Sequence, residues 1–140
     1  MSEIALVDTG FWLALFDPRD TGHQTASKNE DLLDLLTIVV PWPLLYETMR
    51  SRFVRRANWV GRLDQRLKKP NVEFIDDHEY RQEAYSLAVR YATQMKRPIS
   101  MADMLCRLLI ADANVRVDYL LTTNPRDFAD VCRSNGVELL

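Results

Sequence analysis

The sequence predicts an α/β fold in which helices cover both faces of a parallel sheet. Short apolar segments alternate along the chain with longer segments of helical periodicity, which is the pattern of strand–helix–strand units joined by right-handed crossovers. The chain has 140 residues, of which 47% are hydrophobic and 27% are charged. Because this is the size and composition of one ordinary globular domain, we expect residues 1–140 to form a single domain.

Five short apolar segments are the predicted strands. They are rich in Val, Ile and Leu, which suits strands that are buried on both faces of a sheet. The last of the five is predicted to be an edge strand. In chain order the predicted strands are Ile4–Asp8, Thr37–Pro41, Val72–Ile75, Asp118–Thr122 and Val137–Leu140.

Helical segments separate these strands, and Pro, Gly or charged residues mark several of their ends. Pro43 stands where proline suits the first turn of a helix, and Gly136 stands in a helix-stop position. Lys96-Arg97-Pro98 ends the longest helical segment. The predicted helices are Gly10–Phe16, Gln24–Leu36, Pro43–Arg56, Asn58–Lys68, Asp77–Met95, Ser100–Ala113 and Pro125–Ser134.

Several functional classes receive no support from the sequence. No apolar stretch reaches the roughly 20 residues of a membrane span, and the N-terminus has no signal-peptide pattern. Cys106 and Cys132 have no zinc-ligand spacing, so we expect two reduced, packed thiols in a cytoplasmic protein. His23 and His78 have no partners at catalytic or metal-binding spacing. Glycine-rich phosphate loops and Gly-x-Ser-x-Gly motifs are absent.

Basic residues are concentrated between positions 50 and 69. Eight of the 18 Lys and Arg residues lie there against one acid, Asp64, although the net charge of the chain is −2. Such a strip, with Phe53 and Trp59 beside it, suits a polyanion whose phosphates meet guanidinium groups and whose bases stack on aromatic rings. The equal alternative is a solvated helix face with both rings in the core.

Acidic and polar residues stand where strands end or helices begin. Asp8 ends the first strand, and Asn124 follows the fourth, with Asp127 three residues later. Glu47 and Asp103 lie early in predicted helices. The carboxyl ends of parallel strands share one edge of a sheet, so we expect these side chains to meet there. Converging carboxylates repel one another and need a counter-charge such as Mg²⁺, so the pattern predicts metal-dependent chemistry.

Each of these residues also has a purely structural interpretation. Asp8 suits a helix cap or a turn, and Glu47 suits an exposed position near a helix N-terminus. Asp103 suits the last position of a capping box, and Asn124 or Asp127 could cap the helix that follows. The two interpretations are compatible, because a carboxylate in the first turn of a helix can still face a metal.

Four motifs carry these residues in a fixed order. They are Val7-Asp8-Thr9-Gly10-Phe11-Trp12-Leu13-Ala14-Leu15, Leu44-Leu45-Tyr46-Glu47, Ser100-Met101-Ala102-Asp103-Met104-Leu105 and Leu120-Leu121-Thr122-Thr123-Asn124-Pro125-Arg126-Asp127-Phe128. In order and setting they resemble the motifs of the PIN-domain nucleases, and within them those of the VapC-like toxins of toxin–antitoxin pairs. The resemblance spans nearly the whole chain.

The resemblance implies a three-layer α/β/α sandwich with a mostly parallel sheet of four or five strands. It also implies hydrolysis of RNA phosphodiester bonds at an acidic pocket that binds one or two Mg²⁺ or Mn²⁺ ions. Carried over by motif, Asp8, Glu47 and Asp103 are catalytic residues and metal ligands. Asn124 stands where many members have an acid and would be the fourth catalytic residue, with Asp127 as a further metal ligand. Since an amide adds no negative charge, the second ion is the less supported of the two.

The resemblance also implies partners. These are an RNA substrate, a cognate antitoxin protein and a second copy of the chain in a homodimer. The RNA backbone would lie along the basic strip, on Arg50, Arg52, Arg55, Arg56 and Arg62. Two alternatives stay open: a nucleic-acid-binding protein of the same fold with weak or no catalysis, and a metal-dependent phosphatase or interaction domain on this scaffold.

Overall fold

Five parallel strands form one sheet in a computed structural model that describes residues 2–50 and 52–140. Their order across the sheet is β3-β2-β1-β4-β5, and each neighbouring pair is parallel. The predicted α/β class with a parallel sheet is therefore confirmed. The strands are β1 Ile4–Val7, β2 Thr37–Pro41, β3 Val72–Ile75, β4 Tyr119–Leu121 and β5 Glu138–Leu139.

Helices connect the strands and lie on both faces of the sheet. The α-helices are α1 Thr9–Phe16, α2 His23–Lys28, α3 Leu32–Leu35, α4 Trp42–Arg50, α5 Ala57–Leu67, α6 Arg81–Thr93, α7 Met101–Ala111 and α8 Ala129–Asn135. Short 3-10 helices cover Arg52–Arg55 and Pro125–Asp127. No helix in the described part of the chain is long and apolar enough to cross a membrane.

Alternation along the strands divides the apolar residues between two cores. Successive side chains of a strand point to opposite faces, so Ala5 and Val7 pack on one side of β1 and Leu6 packs on the other. The first core is completed by rings of α1 and by the segment that contains Phe53. The second is completed by α7 and α8, and it contains Cys106 and Cys132, which are free and buried as predicted. The result is the three-layer α/β/α arrangement.

The predicted helix Gln24–Leu36 is wrong. The chain turns after α2, because the backbone N–H groups of Asn29 and Glu30 bond to carbonyls three residues back. The polar run from Lys28 to Asp31 supplies no apolar side chain that could hold a continuous helix against the sheet. Two short helices, α2 and α3, stand in its place.

The predicted helix Pro43–Arg56 also divides. Its first part is α4, which ends at Arg50, and its last part is the 3-10 helix Arg52–Arg55. Ser51, between them, lies outside the described residues. Phe53 enters the core, whereas Arg52 and Arg55 stay exposed.

An ion pair between buried Arg107 of α7 and exposed Asp130 of α8 holds the segment after β4 against α7. The guanidinium of Arg107 donates to both carboxylate oxygens of Asp130, at 2.7 and 2.9 Å, and to the carbonyl of Asp127 at 2.8 Å. It also lies over the ring of Tyr91, 5.6 Å from the ring centroid. Pairing with Arg107 lowers the pKa of Asp130 well below its usual range. Sequence reasoning did not single out this pair, since its partners are 23 residues apart.

We predict that Asp130→Asn lowers the free energy of unfolding by about 1–3 kcal/mol, because it leaves the buried guanidinium of Arg107 without its counter-charge. The matched control is Asp64→Asn, which breaks the exposed pair with Lys68 and should cost about 0.5 kcal/mol or less. Urea denaturation of the two variants measures both values. Equal values would show that the Arg107 pair contributes no more than a surface pair.

Candidate active site

Asp8 is the most deeply held acid at the carboxyl edge of the sheet. It follows β1 directly, is 6% exposed and caps α1. One carboxylate oxygen accepts a bond from the backbone N–H of Thr9 at 2.8 Å, and the other accepts from the hydroxyl of Thr122 at 2.9 Å. Burial raises the pKa of Asp8, and these two bonds oppose the rise. Asp8 is therefore the helix cap that the sequence suggested, and its side chain also lies at the carboxyl edge of the sheet, as predicted.

Glu47 reaches this edge from α4. The hydroxyl of Thr9 donates to the carbonyl of Leu44 at 3.0 Å, which ties the start of α1 to the turn of α4 that precedes Glu47. Glu47 is half-buried rather than exposed, and burial followed by the charge of Asp8 raises its pKa. The charge of Arg50 and a hydrogen bond with Thr9 lower that pKa in part.

Asp103 reaches the edge from the first turn of α7. Ser100 caps this helix, and its hydroxyl oxygen accepts a bond from the backbone N–H of Asp103 at 3.1 Å. The carboxylate is thereby placed at the helix start, beside the other acids. Burial, then the charges of Asp8, Glu47 and Asp127, raise the pKa of Asp103 to about 7.

Asn124 and Asp127 form the fourth part of the site, here called the fourth corner, beside Asp8, Glu47 and Asp103. The backbone N–H of Asn124 donates to the hydroxyl oxygen of Thr122 at 3.0 Å, and its side-chain amide donates to the Asp127 carboxylate at 2.7 Å. The charge of Asp127 raises the pKa values of both Asp8 and Asp103, so this acid lies close to the site. The structure thus brings both residues to the edge where the sequence placed them, as a hydrogen-bonded pair.

The backbone at Gly10 and Gly22 approaches the side chain of Thr123 closely, and this contact positions the fourth corner. A Cβ atom on Gly10 would lie 2.6 Å from the hydroxyl oxygen of Thr123, and one on Gly22 would lie 2.8 Å from the Thr123 methyl carbon. Thr123 therefore fits between two glycines, next to Asn124. No local pattern in the sequence indicates this contact, because it joins residues more than 100 positions apart.

The chemistry of these donors fits a hard divalent cation, whereas their present arrangement is not that of a closed metal site. Carboxylate and amide oxygens are the ligands that Mg²⁺ and Mn²⁺ prefer. Burial first and the neighbouring acids second raise the pKa values of Asp8, Glu47 and Asp103, so a cation would stabilise their ionised forms. Within residues 2–50 and 52–140, however, no three His, Cys, Asp or Glu side chains stand in an arrangement that could hold a metal ion as they are. Binding would therefore require carboxylates to turn toward the ion.

Residues of the basic strip contribute more to the core and to ion pairs than the sequence suggested. Phe53 and Trp59 are buried, so of the two alternatives the structure supports rings in the core rather than rings on which bases stack. The strip also has more acidic partners than Asp64 alone. Arg52 pairs with Asp17 at 2.9 Å, and Asp34 pairs with two further residues of the strip.

Two of the predicted RNA-binding arginines lie over aromatic rings. Arg62 is 4.7 Å from the ring centroid of Phe16, and Arg56 is 5.3 Å from that of Trp59. Guanidinium groups in such contacts keep their charge and much of their edge for hydrogen bonds. Since Arg50 and Arg55 are also exposed, all five predicted arginines lie at the surface.

Without divalent ions, we predict that the melting temperature falls by a few degrees between about pH 5 and pH 8. The folded protein holds the Asp103 proton up to about pH 7, whereas the unfolded chain releases it near the ordinary aspartate pKa of 3.8. The folded state therefore binds more protons across this window, and the free energy of unfolding decreases as pH rises. The raised pKa values of Asp8 and Glu47 act in the same direction.

Asp103→Asn should flatten this dependence, as thermal melts in EDTA at a series of pH values would show. Asp34→Asn is the control, because the pKa of Asp34 is lowered and its titration falls below the window. A melting temperature that rises from pH 5 to pH 8 in the unmodified protein would contradict the prediction.

Gly10→Ala should destabilise the protein by about 1–3 kcal/mol and displace the Thr123–Asn124 corner, because its Cβ would overlap the Thr123 hydroxyl. Gly61→Ala in α5 is the control: a Cβ there meets nothing within 4 Å and should stabilise by about 0.5–1 kcal/mol. Denaturant unfolding of both variants provides the comparison. Opposite signs support the close packing at Gly10, and equal stabilisation would refute it.

Comparison with known proteins adds a likeness in structure. Neither family models nor curated protein sequences give a match. The chain is similar in structure to Mycobacterium tuberculosis VapC20, a Sarcin-Ricin loop cleaving toxin, with 19% identity and a TM-score of 0.69 over 90% of this chain and 94% of that one. It is also similar to VapBC2 from Rickettsia felis bound to a DNA fragment from the promoter, with 18% identity and a TM-score of 0.60 over 98% and 97% of the chains. This chain therefore has the fold of these VapC structures, as the PIN-like motifs predicted.

Proposed function

We propose that this chain is a metal-dependent endoribonuclease and the toxin of a toxin–antitoxin pair. One observation supports this most: Asp8, Glu47, Asp103 and Asp127 meet at the carboxyl edge of the sheet, and each of the first three has a raised pKa. That edge is where parallel α/β folds bind ligands. The likeness to a toxin that cleaves the Sarcin-Ricin loop points to the same chemistry.

Asp8, Glu47 and Asp103 would hold the first divalent ion, and Asp127 would contribute to a second. When bound, Mg²⁺ or Mn²⁺ lowers the pKa of water and offsets charge on the scissile phosphate. Asp8 suits the fixed ligand, because hydrogen bonds from Thr9 and Thr122 hold it in place. Asp103 would be the second carboxylate ligand of this ion, and Glu47 would complete its shell or orient the attacking water.

Asn124 would hold a water beside the phosphate rather than bind the ion. Its amide nitrogen donates to Asp127, so its carbonyl oxygen is directed away from that carboxylate and can accept a bond from water. The pair adds one negative charge where two acids would add two. This supports one tightly bound ion and a second of lower affinity.

The proposed partners follow from the same fold. RNA would lie with its backbone on Arg50, Arg52, Arg55, Arg56 and Arg62. The likeness to a VapBC complex on promoter DNA supports an antitoxin partner. In this proposal residues 1–140 act as one domain in the cytoplasm, and two copies form a homodimer.

A second function, RNA binding without turnover, has one observation in its favour. Among the described residues, no three acids are arranged so that they could hold a metal ion as they are, and the amide of Asn124 occupies the fourth corner. RNA binding that persists at saturating Mn²⁺ with no cleavage would favour this function over the first.

We predict Mg²⁺- or Mn²⁺-dependent cleavage of RNA, which gel analysis of a labelled transcript would measure. Asp8→Asn should reduce the rate by about 100-fold or more, because it removes the charge of the fixed ligand and keeps the shape of the side chain. EDTA should abolish cleavage, and added Mn²⁺ should restore it.

Glu3→Gln is the matched control, because Glu3 is an exposed acid that precedes β1 and so lies at the amino edge of the sheet, opposite the site. It should leave the rate within about twofold of the unmodified protein. Cleavage that survives EDTA, or that Asp8→Asn leaves intact, would refute the proposed function.

A further inference from the structure

Asp127, the acid of the fourth corner, is held at two points. Its carboxylate accepts a bond from the side-chain amide of Asn124 at 2.7 Å. Its backbone carbonyl accepts a bond from the guanidinium of Arg107 at 2.8 Å. The second bond comes from α7, the helix whose first turn carries Asp103. One helix and one arginine therefore connect two acids of the site that are distant in sequence.

Asp103 and Arg107 lie on the same side of α7, because residues four positions apart in a helix are neighbours on its surface. Asp103 is at the helix start, beside the other acids, and Arg107 is one turn further along. Asp103 and the bond that holds Asp127 thus have a common support. The charge of Asp127 raises the pKa of Asp103, which shows that the two carboxylates are near each other.

The guanidinium of Arg107 is itself fixed. It donates to both carboxylate oxygens of Asp130, at 2.7 and 2.9 Å, and it lies 5.6 Å from the centroid of the Tyr91 ring. A planar group held by two parallel bonds and a ring has little freedom to turn, so the direction of its bond to the Asp127 carbonyl is set.

A second arginine acts on the neighbouring peptide. Arg97 donates to the carbonyl of Arg126 at 3.1 Å and pairs with Asp130 at 3.4 Å. It follows Lys96, whose φ of 51° lies in the left-handed region that residues with a side chain seldom adopt. Asp130 thus receives both arginines, and each of them holds one carbonyl of the segment that ends at Asp127.

Arg107 is too deeply buried to bind RNA directly. It is 8% exposed, whereas the five arginines of the basic strip that would hold the RNA backbone lie at the surface. Any effect of Arg107 on the reaction must therefore pass through the residues that it holds.

We propose that Arg107 is a positioning residue: through the Asp127 carbonyl it sets the place of the Asp127 carboxylate beside Asp103, and thereby the affinity for the second divalent ion. The inference rests on the proposed function, in which Asp127 contributes to that ion. Replacement of a residue that orients a metal ligand commonly lowers metal affinity by about 10–100-fold.

Arg107→Met combined with Asp130→Asn tests the proposal, because it removes the bond to the Asp127 carbonyl and leaves no buried charge without a partner. In calorimetric titration with Mn²⁺, affinity for the weaker ion should fall by about tenfold or more, and affinity for the tighter ion should stay within about twofold. In cleavage assays the Mn²⁺ concentration for half-maximal rate should rise, whereas the KM for RNA at saturating Mn²⁺ should not change.

The position of Asp127 can also be followed without metal. In ¹H–¹⁵N NMR spectra recorded in EDTA, the side-chain amide resonances of Asn124 report its bond to Asp127 and should shift in the double variant.

Arg133→Met combined with Glu138→Gln is the matched control, because it removes one positive and one negative charge from exposed residues of α8 and β5. Glu138 lies beside Tyr119 at the amino end of β4, away from the acids. This control should leave both Mn²⁺ affinities and the Asn124 amide resonances unchanged.

Arg107→Lys is a second test that keeps the positive charge beside Asp130. An ammonium group lacks the planar fork that holds Asp130 and the Asp127 carbonyl together, so this variant should also lose affinity for the weaker ion. Unchanged Mn²⁺ affinities and Asn124 amide resonances in the Arg107 variants would overturn the proposal. Equal losses for both ions would overturn it too, because they indicate a general effect on the fold, and so would binding of a single Mn²⁺ ion by the unmodified protein.

Failure of the positioning role and failure of the nuclease proposal give different results. Two Mn²⁺ ions with the expected change in affinity, but no RNA cleavage by the unmodified protein, would refute the nuclease proposal alone. RNA cleavage with the same Mn²⁺ dependence in the Arg107 variants as in the unmodified protein would refute the positioning role alone.

Discussion

The carboxylate of Asp8 is the constraint around which the edge of the sheet is organised. It accepts one bond from the start of α1 and another from Thr122 at the end of β4, so it joins three elements that are distant in sequence. Its neighbours extend this network: the hydroxyl of Thr9 reaches α4, and the hydroxyl of Thr122 also accepts from the backbone of Asn124. The positions of Glu47 and Asn124 are therefore fixed relative to Asp8 by hydrogen bonds.

This network holds like charges close together, which works against folding. Burial and mutual repulsion raise the pKa of Asp103 to about 7, so ionisation at neutral pH costs free energy that the rest of the molecule must offset. Two apolar cores do so, and the pair of Arg107 with Asp130 keeps the segment beside the site in place. Concentrated repulsion in an otherwise well-packed molecule is typical of a site selected for function rather than stability.

The sequence could predict those features of the fold and of the site that a local residue pattern determines. The bounds of β2 and β3 agree with prediction, and Asp8 and Asp103 lie at the edge because strand ends and helix starts meet there in parallel folds. What failed depends on distant packing. Phe53 and Trp59 stand among arginines in sequence yet enter the core, whereas the apolar residues that α4 exposes have no local signal to mark them. A single sequence shows the spacing of side chains along an element and not which other element covers them.

The proposed function poses an electrostatic problem that the distribution of charge resolves. A polyanion must approach a pocket of carboxylates, and their repulsion alone would exclude it. The arginines of the strip attract phosphates over about 8–10 Å at physiological salt, so the backbone can be held before it meets the acids. Within the pocket a bound divalent ion would offset the charge of the carboxylates, and it would displace the Asp103 proton, whose pKa is about 7 in the absence of metal. Cation and phosphate therefore favour each other's binding, and affinity for a divalent ion should be higher in the presence of RNA than in its absence.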